Sequence, residues 1–206
     1  MTPRPARTEP PLPAPLLRVT VVALVLFALL GFGAVQDLGP LLELPSPSEL
    51  RTPKGFEGQP EIVQEAIKAG ALAQLSAWGA MRGSRTAVLV GLWAFSALGF
   101  VSALRLLRPR GTPREGARRL LVTTTLVTAI LRTVDGAQLA VIARRVGAAM
   151  DKVLARGSEL PGGWPEGFLA TGATVGSMLF SLAFGGGALM LSRYFRSQGV
   201  QQLTRD

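Results

Sequence analysis

Residues Leu120 to Ala143 read LLVTTTLVTAILRTVDGAQLAVIA, an apolar run with two opposite charges, Arg132 and Asp135, close to its middle. Arginine pairs bracket the run on both sides. As an α-helix these 24 residues would extend about 36 Å, slightly more than the ~30 Å hydrocarbon core of a bilayer. The pattern predicts a transmembrane helix that carries an ion pair close to the bilayer midplane.

Three further runs, residues 19–36, 86–104 and 167–192, are uncharged and long enough to cross a membrane. With residues 120–143 they predict an all-α fold, an integral membrane four-helix bundle. The first run also resembles a secretory signal peptide, because arginines precede it. The bulky Phe32 at the −3 position, with Ala34 at −1, fits a cleavage site poorly, so we expect an uncleaved anchor.

The segments between these runs differ in composition. Proline and charge predict a disordered tail over residues 1–18 and an irregular linker over 37–60. Apolar residues at helical spacing predict an amphipathic helix over 61–83, and a second one that begins the helix and loop of 144–166. The remaining segments are predicted to be a basic turn, residues 105–119, and a basic tail, residues 193–206.

The distribution of charge predicts an orientation. Lys and Arg are more frequent in the two tails and the basic turn than on the opposite side, where nine of the 13 acidic residues lie. By the positive-inside rule, both termini are cytoplasmic and the amphipathic extensions are extracytoplasmic. The extensions belong to neighbouring antiparallel spans, so we expect them to pack into a small cap. The 19 Arg to 3 Lys favour a GC-rich bacterial genome, and hence a bacterial inner membrane.

Composition also excludes several classes of site. The chain has no Cys and no His, which excludes disulfides, zinc fingers, thiol nucleophiles and Ser-His-Asp triads. We expect no cofactor and no metal. The net charge of +9 lies beside apolar runs, which favours anionic lipid headgroups over nucleic acid as the partner. The expected headgroup contacts are Arg105, Arg108, Arg110, Arg118, Arg119, Arg193 and Arg196.

Arg132 and Asp135 lie three residues apart, on one helix face, and Gln138 extends this polar stripe by another turn. A lone charge at the bilayer centre costs about 2.5–3.5 kcal/mol, and pairing lowers that cost. The three residues can form an ion pair that fixes the rotation of the helix, or part of a proton or ion pathway. We favour the ion pair, because no other predicted span carries a charge and only hydroxyl groups are available to face it.

Small residues predict where helices approach closely. In the fourth run Ala173, Ser177, Ser181 and Gly185 repeat every four residues, and serines in such a row can hydrogen bond across a helix interface. Ala87 and Gly91 have the same spacing in the second run. The fourth run is therefore also the expected contact of a homo- or hetero-oligomer. Alternatively, three consecutive glycines that begin at Gly185 can mark an unwound segment, as in broken transporter helices.

These features predict a non-enzymatic structural or accessory membrane protein that acts through helix packing. The alternative is a small transporter or channel-like protein that uses Arg132 and Asp135. An intramembrane enzyme is least favoured, because Asp135 is the only acidic residue within a predicted span and Arg132 neutralises it.

Overall fold

The fold is all-helical. The computed structural model describes residues 12–46, 58–108, 114–157 and 164–204. Within them the chain forms helices α1 (Ala14–Leu42), α2 (Glu61–Leu107), α3 (Arg114–Gly157), α4 (Phe168–Arg196) and α5 (Gln198–Thr204). The first four are long and apolar enough to cross a membrane. The predicted all-α architecture with four such helices is confirmed, and it is compatible with a multi-pass membrane protein.

The helices α2 and α3 form a long antiparallel hairpin. At about 1.5 Å per residue, their 47 and 44 residues extend about 70 and 66 Å, roughly twice the hydrocarbon core of a bilayer. Each predicted span and its amphipathic extension are therefore one continuous helix. The extensions contact each other beyond the spans: Gly70 packs against Met150, and Ile62 packs against Gly157.

The helices α1 and α4 pack on opposite partners in this hairpin. α1 lies along α2, where the Phe27 ring covers Gly99 so closely that no side chain would fit there. α4 lies along α3, where the backbone at Ala170 takes the space that a side chain at Gly147 would need. α1 and α4 barely touch each other. Each helix of the hairpin thus supports one outer helix, with a cleft between the two outer helices.

The boundaries of α1 differ from the sequence interpretation. The helix begins at Ala14, inside the predicted tail of residues 1–18, because Pro15 lies in the first turn, where a missing backbone N–H costs nothing. It continues to Leu42, inside the predicted linker of residues 37–60, and includes Pro40 close to its end. Asp37 is therefore a helical residue. Residues 1–11 and 47–57 lie outside the described residues.

The main apolar core lies at the end of the bundle that holds the short connection between α2 and α3. Leu16 and Phe27 of α1, Leu121 of α3 and Phe195 of α4 are fully buried there. Val200 of α5 packs on the same cluster, so part of the predicted tail, residues 193–206, is folded onto the bundle. We call this the basic end, since Arg105, Arg108, Arg119, Arg193 and Arg196 lie in it.

Candidate functional site

Arg132 and Asp135 of α3 form the predicted ion pair. An Nη of Arg132 donates a hydrogen bond to Asp135 Oδ2, and both side chains are buried. Asp135 is fully enclosed, with 0% of its side chain exposed. The one-turn spacing that suggested a contact therefore produces one.

Two further charges complete the site, and they come from other helices. One guanidinium nitrogen of Arg85 on α2 lies 3.0 Å from Asp135 Oδ1, and the other lies 3.0 Å from Asp37 Oδ2 on α1. The expectation that only hydroxyl groups are available to face this pair is wrong. Both residues fall just outside the uncharged runs, and the helices that carry them continue past those runs. We call Asp37, Arg85, Arg132 and Asp135 the ionic cluster.

A signal for Arg85 was available in the sequence. If α2 and α3 are an antiparallel hairpin folded at residue 110, then residue 85 lies opposite residue 135. Facing residues in an antiparallel hairpin have residue numbers with a constant sum. Gly70 contacts Met150, and this pair has the same sum as Arg85 and Asp135. Asp37 has no comparable signal, because the loop between α1 and α2 does not fix their register.

The ionic cluster joins three helices, and aromatic rings connect it to the fourth. The guanidinium carbon of Arg132 lies 5.2 Å from the Phe180 ring centroid and 5.9 Å from that of Phe184, both on α4. A cation over an aromatic face is attracted to the ring quadrupole, more strongly where water is excluded. Two carboxylates and two guanidinium groups make the ionic cluster neutral as a whole, which lowers the cost of burying its charges.

A cavity of about 420 Å³ lies beside the ionic cluster, in the cleft between α1 and α4. Its walls are mostly apolar, and Arg132, Asp135 and Asp37 supply the charged part of its lining. The Asp37 side chain is 47% exposed, so the charged part of the cavity reaches the surface. The lining residues are Leu29, Leu30, Gly33, Ala34, Gln36, Asp37, Leu89, Leu92, Arg132, Asp135, Leu139, Phe180 and Phe184.

The predicted polar stripe does not continue beyond Asp135. Gln138 is half-buried, and its Oε1 is buried with no hydrogen-bond donor among the described residues. The nearby hydroxyl groups of Thr125 and Thr133 donate to carbonyl oxygens one turn earlier in α3. Such bonds keep the hydroxyls on their own helix. They therefore add no continuous polar path from the ionic cluster to the basic end.

The small residues of α4 pack within the chain. Ser181 covers Gly136 of α3 so closely that a Cβ there would clash, and Gly185 is buried beside Thr133. Ser177 is half-buried and Ala173 is exposed, so only the second half of the predicted row forms the interface. The prediction that these serines hydrogen bond across the interface is wrong, because both hydroxyls donate within α4. The Ser181 hydroxyl donates to the Ser177 carbonyl oxygen of the same helix.

In α2 the two predicted small residues behave differently. Gly91 is half-buried against the Leu131 side chain of α3. A Cβ on Gly91 would lie 3.3 Å from Leu131, so the two helices approach closely there, as predicted. Ala87 is exposed, so it does not contribute to packing. α4 remains helical through Gly185 and the two glycines after it, so the unwound segment of the transporter interpretation is absent from the described helix.

A second polar junction lies at the basic end. Glu115 accepts hydrogen bonds from Arg118 and Arg119 one turn later in α3, and from the Thr204 hydroxyl of α5. Arg118 also donates to the Phe195 carbonyl oxygen in the last turn of α4, at 2.7 Å. We call these five residues the basic-end junction. It ties α3, α4 and α5 together.

Arg118 therefore differs from its predicted role at lipid headgroups. Its side chain is buried, because Glu115 and an otherwise unpaired helix-terminal carbonyl both accept hydrogen bonds from it. The pKa of Glu115 is held far below its ordinary value by the Arg118 hydrogen bond, and those of Arg119 and Thr204 add to this effect against the effect of burial. Arg105, Arg108, Arg119, Arg193 and Arg196 are exposed, as headgroup contacts require, and Arg110 lies outside the described residues.

The sequence interpretation assigned no role to Asp151, whose side chain stabilises the start of α4. Its carboxylate accepts hydrogen bonds from the Trp164 indole and from the backbone N–H groups of Leu169 and Ala170 in the first turn of α4. Burial raises its pKa, but these three hydrogen bonds outweigh burial and the pKa is lowered overall. Asp151 thus caps α4 from the neighbouring helix, a tertiary contact with no local sequence signature.

The described residues hold no group of three or more carboxylate side chains that could bind a metal ion. In comparisons with protein-family models, with curated proteins and with solved structures, this chain matches none.

Proposed function

We propose that this chain is a non-enzymatic, multi-pass membrane protein that acts as a structural or accessory subunit through helix packing. The observation that carries the proposal is the ionic cluster, which joins α1, α2 and α3 through buried ion pairs and reaches α4 through two aromatic rings. Both carboxylates in it are engaged by guanidinium groups, an arrangement suited to fixing helix positions.

The outer faces of α1 and α4 support a role in packing. Both expose large apolar side chains, among them Phe32 on α1 and Leu182 and Met190 on α4, the last two at 67% and 75%. In water such surfaces would be costly, whereas lipid or another apolar helix can cover them. We assign the face of α4 to a second copy or a partner protein, and the face of α1 to lipid.

We place this protein in a bacterial inner membrane, with both termini and the basic end in the cytoplasm. The support is the positive-inside rule together with the exposed arginines of the basic end, which suit anionic headgroups. The amphipathic ends of α2 and α3 would then form the extracytoplasmic cap.

Cross-linking tests the proposal directly. The chain has no Cys, so Leu182→Cys and Met190→Cys each introduce a unique thiol on α4, and Val22→Cys is the matched control on α1. In native membranes we expect both α4 variants to cross-link to a second copy or to a protein that co-purifies in mild detergent, and the α1 variant to remain monomeric. Cross-linking that is equal for α1 and α4, or absent from both, would contradict the proposal.

A small transporter or channel is the second candidate, and one observation favours it. An ion pathway needs polar groups on facing helices, and Asp37 and Arg85 supply them beside an open cavity. The Arg132→Leu/Asp135→Leu double variant distinguishes the two, because Arg85 retains Asp37 and the chain should remain abundant. Under the packing proposal the double variant keeps its partner and its function; under the transport alternative it keeps its abundance and loses function.

A further inference from the structure

Arg132 has more hydrogen-bond donors than its neighbours accept. A guanidinium group carries five N–H donors. In the described residues Arg132 donates to Asp135, and its Nε is buried with no acceptor. The residue is only 7% exposed and lines the cavity. An unpaired buried donor is costly, so this position suits a ligand that brings an acceptor oxygen.

The rest of the cavity suits an acyl chain. Leu29 and Leu30 of α1, Leu89 and Leu92 of α2 and Phe180 of α4 form apolar walls around the volume of about 420 Å³. Pockets for small ligands have about 300–1,000 Å³ and are mostly apolar with few polar groups. Since α1 and α4 barely touch, the cavity lies in a cleft that is open sideways, towards surrounding lipid.

The direction of the cavity matches that of a lipid in one leaflet. From Asp37 to Leu29 is about 12 Å along α1, and this direction leads towards the basic end. Arg132 lies about 20 Å along α3 from Arg119, beyond the middle of a ~30 Å hydrocarbon core. A lipid of the leaflet opposite the basic end has its headgroup on the side of the ionic cluster and its chains pointing inward along these walls.

The charges of the lining select the headgroup. Arg132 is the buried cation, whereas Asp37 at the surface is half-exposed and holds Arg85 through only one of its carboxylate oxygens, Oδ2. A ligand with an inner anion and an outer cation matches this order of charges. We propose that the cavity binds one acyl chain of a zwitterionic aminophospholipid, whose phosphate accepts from Arg132 and whose ammonium donates to Asp37.

This binding site goes beyond the proposed packing function and depends only on the proposed crossing of the bilayer. It makes Asp37 a headgroup-selecting residue. Asp135 also borders the cavity, but its carboxylate has no exposed surface and is paired with Arg85 and Arg132, so Asp37 is the carboxylate that receives the ammonium.

Gly33 provides a variant that blocks the cavity and leaves the ionic cluster intact. Gly33 lines the cavity and a Cβ there would meet nothing within 4 Å, so Gly33→Leu places an isobutyl group at the cavity wall from an unobstructed Cβ. Gly176→Leu on α4 is the matched control, since a Cβ there also meets nothing within 4 Å and Gly176 does not line the cavity. Asp37→Asn tests the headgroup, because Arg85 retains Asp135.

The measurement is native mass spectrometry of the purified full chain in lipid-free detergent, with phosphatidylethanolamine or phosphatidylglycerol added singly. We expect the natural sequence and Gly176→Leu to bind phosphatidylethanolamine about tenfold more tightly than phosphatidylglycerol, the effect of one charge-assisted hydrogen bond. Gly33→Leu should lose at least about tenfold in affinity for phosphatidylethanolamine, and Asp37→Asn should lose the preference for phosphatidylethanolamine over phosphatidylglycerol. The proposal is overturned if Gly33→Leu binds like the natural sequence, or if Asp37→Asn keeps the preference. Loss of cross-linking through α4 would not change either result, so failure here is distinguishable from failure of the packing proposal.

Discussion

Two carboxylates in this chain are each shared by two arginines, and their surroundings differ. Asp135 in the ionic cluster has partners on two helices and no exposed surface. Glu115 in the basic-end junction has both arginine partners on its own helix, and one of them, Arg119, is 72% exposed. The ion pairs of Asp135 therefore join two helices directly, whereas the ion pairs of Glu115 lie within α3. In the basic-end junction the contacts to α4 and α5 are hydrogen bonds, at Phe195 and Thr204.

The difference shows how burial changes the effect of an ion pair. An exposed pair contributes about 0–1 kcal/mol, because water screens it and long side chains lose entropy. A buried pair is weakly stabilising as a whole, yet removing one partner costs about 3–5 kcal/mol, because the other charge remains buried and unpaired. Single substitutions should therefore separate the two sites far more than the removal of whole pairs.

The largest effect is expected for Asp135→Leu. It leaves Arg132 buried without a carboxylate, so we expect a loss of about 3–5 kcal/mol in the free energy of unfolding. The Arg132→Leu/Asp135→Leu double variant removes both charges, and Arg85 keeps Asp37. It should recover most of the loss. Tryptophan fluorescence during denaturation in mixed micelles measures the free energy of unfolding of both variants. A double variant that is no more stable than Asp135→Leu would contradict a cluster whose charges compensate one another.

The residues of the ionic cluster also show how far sequence analysis reaches. The four apolar helices and the contact of Arg132 with Asp135 follow from run length and helical spacing, which are local properties. Arg85 and Asp37 lie at the ends of uncharged runs, so a boundary drawn at the first charge excludes them. Their inclusion depends on helix register and on helices that continue past the apolar run, which are tertiary properties.

The same limit applies to Arg118 and Asp151. An arginine in a basic segment next to an apolar run is typical of a headgroup contact, and nothing local distinguishes Arg118 from its neighbour Arg119. Arg118 faces the last turn of α4, whose carbonyl at Phe195 it binds, and Arg119 faces outward. Asp151 caps a helix that begins 17 residues later. Only the packing of α4 on α3 brings these partners together.

An intermediate effect is expected in the basic-end junction. Arg118→Ala removes a hydrogen bond to the Phe195 carbonyl oxygen and two to Glu115, and should lower the free energy of unfolding by about 1–3 kcal/mol. Arg119→Ala removes an exposed pair and should change it by less than about 0.5 kcal/mol. The same micelle denaturation compares them. Equal losses would mean that burial does not distinguish the two arginines.

The smallest effect concerns pH and Glu115. The pKa of Glu115 is lowered in the folded chain, chiefly by Arg118, from an ordinary value of 4.5. A lowered pKa means that the ionised form stabilises the fold above about pH 4.5, and that this contribution is lost as the pH falls below it. Asp151, whose pKa is also lowered, loses its contribution in the same direction.

Glu115→Gln removes only the contribution of Glu115. The difference in Tm between the natural sequence and this variant should therefore be present at pH 7 and shrink towards pH 3. A difference that stays constant over this range would show that Glu115 acts through hydrogen bonds that its protonated form also makes, and the contrast with Asp135 would then rest on burial alone.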